Sequence, residues 1–363
     1  MNLIRKDIEN IDAYKPGKPI EEVKRELGLK NVIKLASNEN SLGPSPKALA
    51  ALRKVLGNLN RYPEGSCPEL RKELSRSLKV EESNLLLGNG SDELIDIILK
   101  AARDDGAEVI TADVTFAEYK IAGVVNGFHV VCVPLKDFAF DLEAIARAVT
   151  PKTKVIFIAN PNNPTGTYVS GRDVTAFLNR IPDDVLVVFD EAYVEFSEAD
   201  DFPKTRELLN KKNIAILRTF SKIYGLAGLR IGYMIAGEDL IEACQRVRQP
   251  FNVNSLAQAA AKAALSDKAF VKKSRHLIAK EKKYLYEALS KLGIWYKKSE
   301  TNFIFIKTER DGREVFDELL RQGVIIRDMS PYGLNNYSRV TIGTRTENAR
   351  FVKSLRNLKG GFR

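Results

Sequence analysis

Cysteine is scarce in this chain, and the three present, Cys67, Cys132 and Cys244, lie far apart without metal-type spacing. That argues against a disulfide framework or a cysteine-held metal and points to a reducing, cytoplasmic compartment. Long apolar runs are missing as well. Stretches such as Val185–Phe189 are strand-sized and the opening MNLIRKDIEN has no apolar h-region, so neither a membrane span nor a secretion signal is expected. Dense basic blocks are absent although the formal net charge is +10 at pH 7. Lysines and arginines alternate with acids, as in Lys280–Lys291, which argues against a nucleic-acid partner and for a solvated basic surface that draws in small anions. Neither a GxGxxG nor a Walker A pattern occurs, so no dinucleotide or nucleoside triphosphate is implied.

What is present is enough apolar residue to bury a sizeable core: 363 residues, 44% hydrophobic and 29% charged. The expected division is an arm with a short helix (1–30), a large domain (31–262) and a small C-terminal domain (263–363). From Leu85 to Ala236 short apolar runs alternate with longer amphipathic ones, which predicts an α/β fold with a buried, mostly parallel sheet between helices. Strands are expected at Asn84–Leu87, Glu108–Thr111, His129–Pro134, Val155–Ala159, Val185–Phe189, Ile214–Leu217 and Arg230–Ile235. The C-terminal part reads as α+β, with helices Ser255–Ala264, Val271–Leu292 and Glu314–Arg321 and strands Phe303–Ile306, Val324–Ile326 and Val340–Ile342.

Ligands of such sheets collect at the carboxyl ends of the strands, and the loops there carry unusual residues. Gly88-Asn-Gly-Ser-Asp92 feeds a helix whose apolar stripe is Leu94, Ile95, Ile98 and Leu99. Its N–H groups and positive dipole end suit an anion, while Ser91 would equally serve as a helix cap. Phe116 sits where an aromatic would stack on a flat ligand or simply pack. In Asn160-Pro-Asn-Asn-Pro-Thr-Gly166 two prolines set the backbone so that Asn163 donates to a phenolate-like oxygen. Asp190 follows an apolar strand and, once buried, needs a cation or donors; a ring nitrogen or a structural ion pair would both answer. Lys222 follows Ser221 and precedes Gly225, Ala227, Gly228 and Arg230. The small residues admit a flat ring, the arginine fork suits a phosphate, and the amine suits an imine with an aldehyde cofactor; a surface lysine before a turn is the bland alternative. Taken together, lysine, aspartate, aromatic, asparagine with Tyr193, and a serine–arginine phosphate seat describe pyridoxal 5′-phosphate.

The segments ASNEN (36–40), RYPEG (61–65), GNGSDE (88–93), NPNNPTG (160–166), DEAY (190–193) and SKIYGLAGLRIGY (221–233) resemble those of the fold-type I pyridoxal-phosphate enzymes of class I/II aminotransferases. The resemblance runs through essentially the whole chain. Tyr14-Lys-Pro-Gly-Lys-Pro and the pairing of VIIRD (324–328) with YSRVTIGT (337–344) are similar to the branch of that family that acts on histidinol phosphate. It implies Lys222 as imine-forming and proton-moving lysine, Asp190 on the pyridine nitrogen, Tyr193 and Asn163 on the ring oxygen and Phe116 on the ring face. Ser91, Asp92, Ser221 and Arg230 would hold the cofactor phosphate, joined by Tyr62 from the neighbouring subunit of a homodimer. Arg339 would take a substrate carboxylate, with Arg327, Tyr14 and Asn38 at the same mouth. Val114 departs from the proline usual before Thr115, which removes no chemical group. The implied reaction is a ping-pong transfer of an amino group that interconverts histidinol phosphate and 2-oxoglutarate with imidazole-acetol phosphate and glutamate. Aromatic amino-acid transamination and decarboxylation of threonine phosphate stay open beside it.

Overall fold

The computed structural model describes residues 5–9, 11, 17–209 and 213–358. A two-residue strand, β1 (Ile33–Lys34), precedes the strands foreseen between Leu85 and Ala236, all of which form. These are β2 (Leu85–Gly88), β3 (Glu108–Ala112), β4 (His129–Val133), β5 (Thr153–Ala159), β6 (Leu186–Asp190), β7 (Ile214–Thr219) and β8 (Gly232–Ala236). They build one sheet in the order β2-β8-β7-β6-β5-β3-β4. The pairs from β7 across to β4 are parallel, and β8 runs antiparallel to both β7 and β2. The α/β architecture expected from the alternation is thus what forms, with helices covering both faces. The central strands are buried along their length because their runs of Val, Ile, Leu and Phe meet helices on either side. Leu94, Ile95, Ile98 and Leu99 on the helix Ser91–Ala102 supply one such cover.

A second core gathers around β9 (Trp295–Lys297), β10 (Phe303–Lys307), β11 (Val324–Ile325), β12 (Arg327–Asp328) and β13 (Tyr337–Thr341). Four of these strands form an antiparallel sheet in the order β12-β13-β10-β9. The strand expected at Val340–Ile342 begins earlier, at Tyr337, because Lys307 pairs with Tyr337 at the start of the ladder and Ile342 adds only one bond, to the Asn302 carbonyl. The helix Gly312–Arg321 and the long helix Lys268–Lys291 cover this sheet.

The early segment 33–38 is stitched into this second body rather than into the large sheet. β1 pairs in parallel with β11, the Leu35 carbonyl accepts from the Thr341 amide at 2.8 Å, and Asn302 donates to the Asn38 carbonyl at 3.0 Å. Val23, Leu35 and Ala36 belong to the second core accordingly. The segment therefore crosses the mouth between the two bodies, where the loops at the carboxyl ends of β5, β6 and β7 open.

Candidate active site

A cavity of about 330 Å³ lies at that mouth. Of the residues singled out in the sequence, Asn38, Ser91, Asp92, Phe116, Asn163, Asp190, Tyr193, Ser221, Lys222, Arg230, Arg327 and Arg339 line it. Tyr62 does not: it is 84% exposed and stacks on Phe251 with centroids 5.0 Å apart. Tyr14 lies outside the described residues.

The phosphate-seat candidate is built by two glycines. Gly90 has φ +85°, and a Cβ there would lie 2.5 Å from Nη2 of Arg230; a Cβ on Gly232 would lie 2.7 Å from the Ser91 amide. Side chains at either position would fill the space in front of the helix N-terminus. Ser91 is not the helix cap that its place in the sequence allowed. Gly90 holds the cap position and Ser91 is the first helical residue, which leaves its amide unspent by helix bonding. Arg230 donates to the Asp92 carboxylate at 2.6 Å. The Asp92 charge opposes an anion, so its side chain serves the seat by holding the guanidinium.

Asp190 ends β6 at the floor of the cavity and is 5% exposed. Its Oδ2 accepts from the Tyr119 hydroxyl at 2.7 Å and its Oδ1 from the Ala192 amide at 3.1 Å. Among the described residues no cation pairs with it. Burial pushes its carboxyl up to about 6, and the two donors pull the other way without cancelling that. Tyr119 went unrecognised in the sequence because it sits at the start of the amphipathic helix Glu118–Val125, where an aromatic reads as packing. It is that too: the ring stacks on Phe157 at 4.9 Å and meets Phe116 edge-on at 5.6 Å.

Lys222 lies between the bodies, its Nζ 3.4 Å from the Ser37 carbonyl and 5.6 Å from the Tyr193 ring centroid. The Tyr193 hydroxyl accepts from Nδ2 of Asn38 at 2.9 Å, while Oδ1 of Asn38 accepts from Thr341 at 3.1 Å. Asn38 adopts φ 56°, which asparagine tolerates better than most residues, and it thereby ties the end of β6 to β13.

Arg327 and Arg339 are direct cross-strand partners in the β12–β13 ladder, so both guanidinium groups share one face. Like charges placed opposite each other repel, and an anion between them reverses the sign of that interaction. Arg339 donates to Oδ1 of Asn163 and, at 2.5 Å, to the Ala36 carbonyl. With Oδ1 so engaged, Nδ2 of Asn163 is the group left for a ligand. Two acids near these arginines in the chain have other donors: Asp328 accepts from Ser330, and Glu347 closes the capping box with Thr344.

The molecule is an α/β enzyme whose lysine, buried carboxylate and paired arginines share one cavity between two bodies. The sequence profile described as "Aminotransferase class I and II" matches residues 30–355, and the chain belongs to that family. It is 48% identical to the histidinol-phosphate aminotransferase of Moorella thermoacetica over 98% of this chain and 92% of that protein. Among solved structures, the histidinol-phosphate aminotransferase of Sinorhizobium meliloti in complex with pyridoxal-5′-phosphate superposes with a TM-score of 0.89 at 29% identity, covering 97% of this chain and 96% of that one. The L-threonine-O-3-phosphate decarboxylase of Porphyromonas gingivalis superposes with a TM-score of 0.79 at 26% identity, covering 89% and 98%.

Proposed function

We propose that this chain exchanges an amino group between histidinol phosphate and 2-oxoglutarate with pyridoxal 5′-phosphate as cofactor. The observation that carries the reading is one cavity holding Lys222, an Asp190 carboxylate with no cation against it among the described residues, and the cross-strand pair Arg327 and Arg339. The residues fit that cofactor. A buried carboxylate without a cation is costly, and a protonated ring nitrogen would supply the missing charge. The Ser91 and Asp92 amides at their helix N-terminus, the Ser221 hydroxyl and Arg230 would hold the phosphate. The bound cofactor supplies an electron sink for the charge left when an α-proton departs.

The chain's own residues divide the remaining work. Lys222 takes and returns the α-proton at Nζ. Asp190 holds the proton on the ring nitrogen. Tyr193, positioned by Asn38, and Nδ2 of Asn163 would address the ring oxygen, and Phe116 would cover a ring face. Arg339 takes the α-carboxylate of glutamate and shares the phosphate of histidinol phosphate with Arg327; Tyr14 would join them at the mouth. Tyr62, so exposed in one protomer, would reach the cofactor phosphate of a neighbouring subunit in a cytoplasmic homodimer.

The test is catalytic efficiency toward histidinol phosphate, phenylalanine and phosphothreonine, offered in turn with 2-oxoglutarate. Each charge-assisted bond lost in a desolvated cleft costs about 1.5–3 kcal/mol, so Arg327→Ala should lower efficiency toward histidinol phosphate by about one to two decades. Phenylalanine has one carboxylate and should barely respond, whereas Arg339→Ala should impair both half-reactions. Equal losses on both substrates, or a phenylalanine preference in the parent enzyme, would replace histidinol phosphate by aromatic amino acids. The likeness to the threonine-phosphate decarboxylase gives a second outcome to watch: CO₂ release from phosphothreonine without glutamate formation.

Tyr119→Phe probes the support beneath Asp190. Losing a hydrogen bond to a carboxylate costs about 1.5–3 kcal/mol, and its loss moves the carboxyl further toward the neutral form. Pyridoxal phosphate affinity, followed by fluorescence titration, should weaken about tenfold or more near neutral pH. An unchanged affinity would show that Tyr119 only packs.

A further inference from the structure

The turn Lys136–Ala139 lies outside the cavity, on the side of the small sheet. Lys136 and Ala139 exchange backbone hydrogen bonds of 2.9 and 3.0 Å, closing a two-residue hairpin whose central residues, Asp137 and Phe138, have φ 48° and 65°. Such turns favour Asn-Gly, and a phenylalanine in the left-handed region is a rare choice for a bulky residue. The structure shows what holds it there. The Phe138 ring enters a cluster on the small sheet, 5.3 Å from Phe305, 5.6 Å from Tyr337 and 5.6 Å from Trp295. Lys297 stands over the same ring at 5.7 Å and pairs with Asp137 at 2.6 Å.

The face that receives Phe138 is the face that carries the arginines. Phe305 is the ladder partner of Arg339, which is in turn the partner of Arg327, and Tyr337 precedes Arg339 by two residues on its strand. Side chains two apart or directly opposite share a face. On its other side the turn is tied to the large body: the Phe138 carbonyl accepts from the Thr167 hydroxyl at 2.7 Å. From Thr167 a chain of hydroxyl and amide contacts runs through Thr165 and Asn162 to Thr115, the neighbour of Phe116.

We propose that Phe138 is a positioning residue which, held in its left-handed turn, sets the small sheet against the large body so that Arg327 and Arg339 face the substrate. The inference rests on reading those arginines as the substrate-anion site. The ring touches neither the cavity nor the cofactor seat, so its removal should shift substrate binding and leave cofactor binding alone. In the holoenzyme, Phe138→Ala should raise KM for histidinol phosphate and 2-oxoglutarate about five- to tenfold, the scale of a lost aromatic cluster contact. The turnover number and pyridoxal phosphate affinity should hold within about twofold, and Phe138→Tyr should restore KM. Calorimetric titration with glutarate, a dicarboxylate that cannot react, should show the same loss of affinity without any turnover. If the alanine variant fails to fold, Phe138→Leu carries the same comparison with the ring removed and the bulk kept. Unchanged KM and glutarate affinity, or a parallel loss of cofactor affinity, would overturn the proposal. Arg339→Ala separates the two readings: if glutarate affinity survives that change, the anion site itself is misplaced and the role of Phe138 falls with it; if it is lost there but kept in Phe138→Ala, only the latter fails.

Discussion

Lys222→Ala should lower turnover by about two to four decades, the contribution of a positioned proton-transfer group, while the fold and the anion seat stay intact. Lys222 is half-buried, with its amine 3.4 Å from the Ser37 carbonyl and 5.6 Å from the Tyr193 ring centroid, so little packing is lost on truncation. The change also deletes the amine that can condense with an aldehyde. Borohydride should therefore fix pyridoxal phosphate irreversibly onto the parent protein and not onto the variant, and peptide mapping should locate the label at Lys222. Labelling at another lysine, or near-parental turnover in the variant, would remove the lysine from the chemistry and return it to the bland reading of a residue before a turn.

How far that site was legible differs from residue to residue, and the reasons are physical. Asp190 announces itself because a carboxylate after a run of strand-forming apolar residues has nowhere to go but inward. Lys222, Ser221 and Arg230 share one short segment of small residues, so their neighbourhood in space is already a neighbourhood in the chain. The β5, β6 and β7 ends converge because parallel strands deliver their following loops to one edge of the sheet. Contacts across the mouth carry no such local signal. The bond from Arg339 to Asn163 spans 176 residues, and the pairing of β1 with β11 joins two-residue strands too short for any periodicity. Tyr119 hid in a helix whose pattern gave it a sufficient reason to exist, and the Lys136–Ala139 turn lacks the glycine that would have marked positive φ. Polar residues with no packing excuse, and aromatics at strand ends such as Phe116 and Tyr193, were readable; Tyr119 within its helix and the long-range pairs were not.

Asp190→Asn separates what the carboxylate costs the protein from what it does for the cofactor. In the cofactor-free protein burial raises this carboxyl from its ordinary 3.8 to about 6, so the native state keeps a proton that the unfolded chain has already released between those values. Stability rises with pH only where the unfolded state binds more protons; here the native state binds more, so stability falls as pH climbs from about 4 to about 6 and stays lower above. At 1.36 kcal/mol for each pK unit the loss is about 3 kcal/mol. The side-chain amide that replaces the carboxyl does not ionise, so the cofactor-free variant should match the parent near pH 4 and exceed it in denaturant midpoint at pH 7. With pyridoxal phosphate the order should reverse. The ring nitrogen can carry the cation that the carboxylate lacks, and breaking such a buried pair by neutralising one member costs about 3–5 kcal/mol. Catalytic efficiency of the variant should therefore drop by about two to four decades although the cofactor still binds through its phosphate. Denaturation curves of both proteins at pH 4 and pH 7, with and without cofactor, measure each part. Parallel pH profiles in the cofactor-free state would show that Asp190 is ionised there with a partner of its own, and near-normal turnover in the variant would take the ring nitrogen away from it.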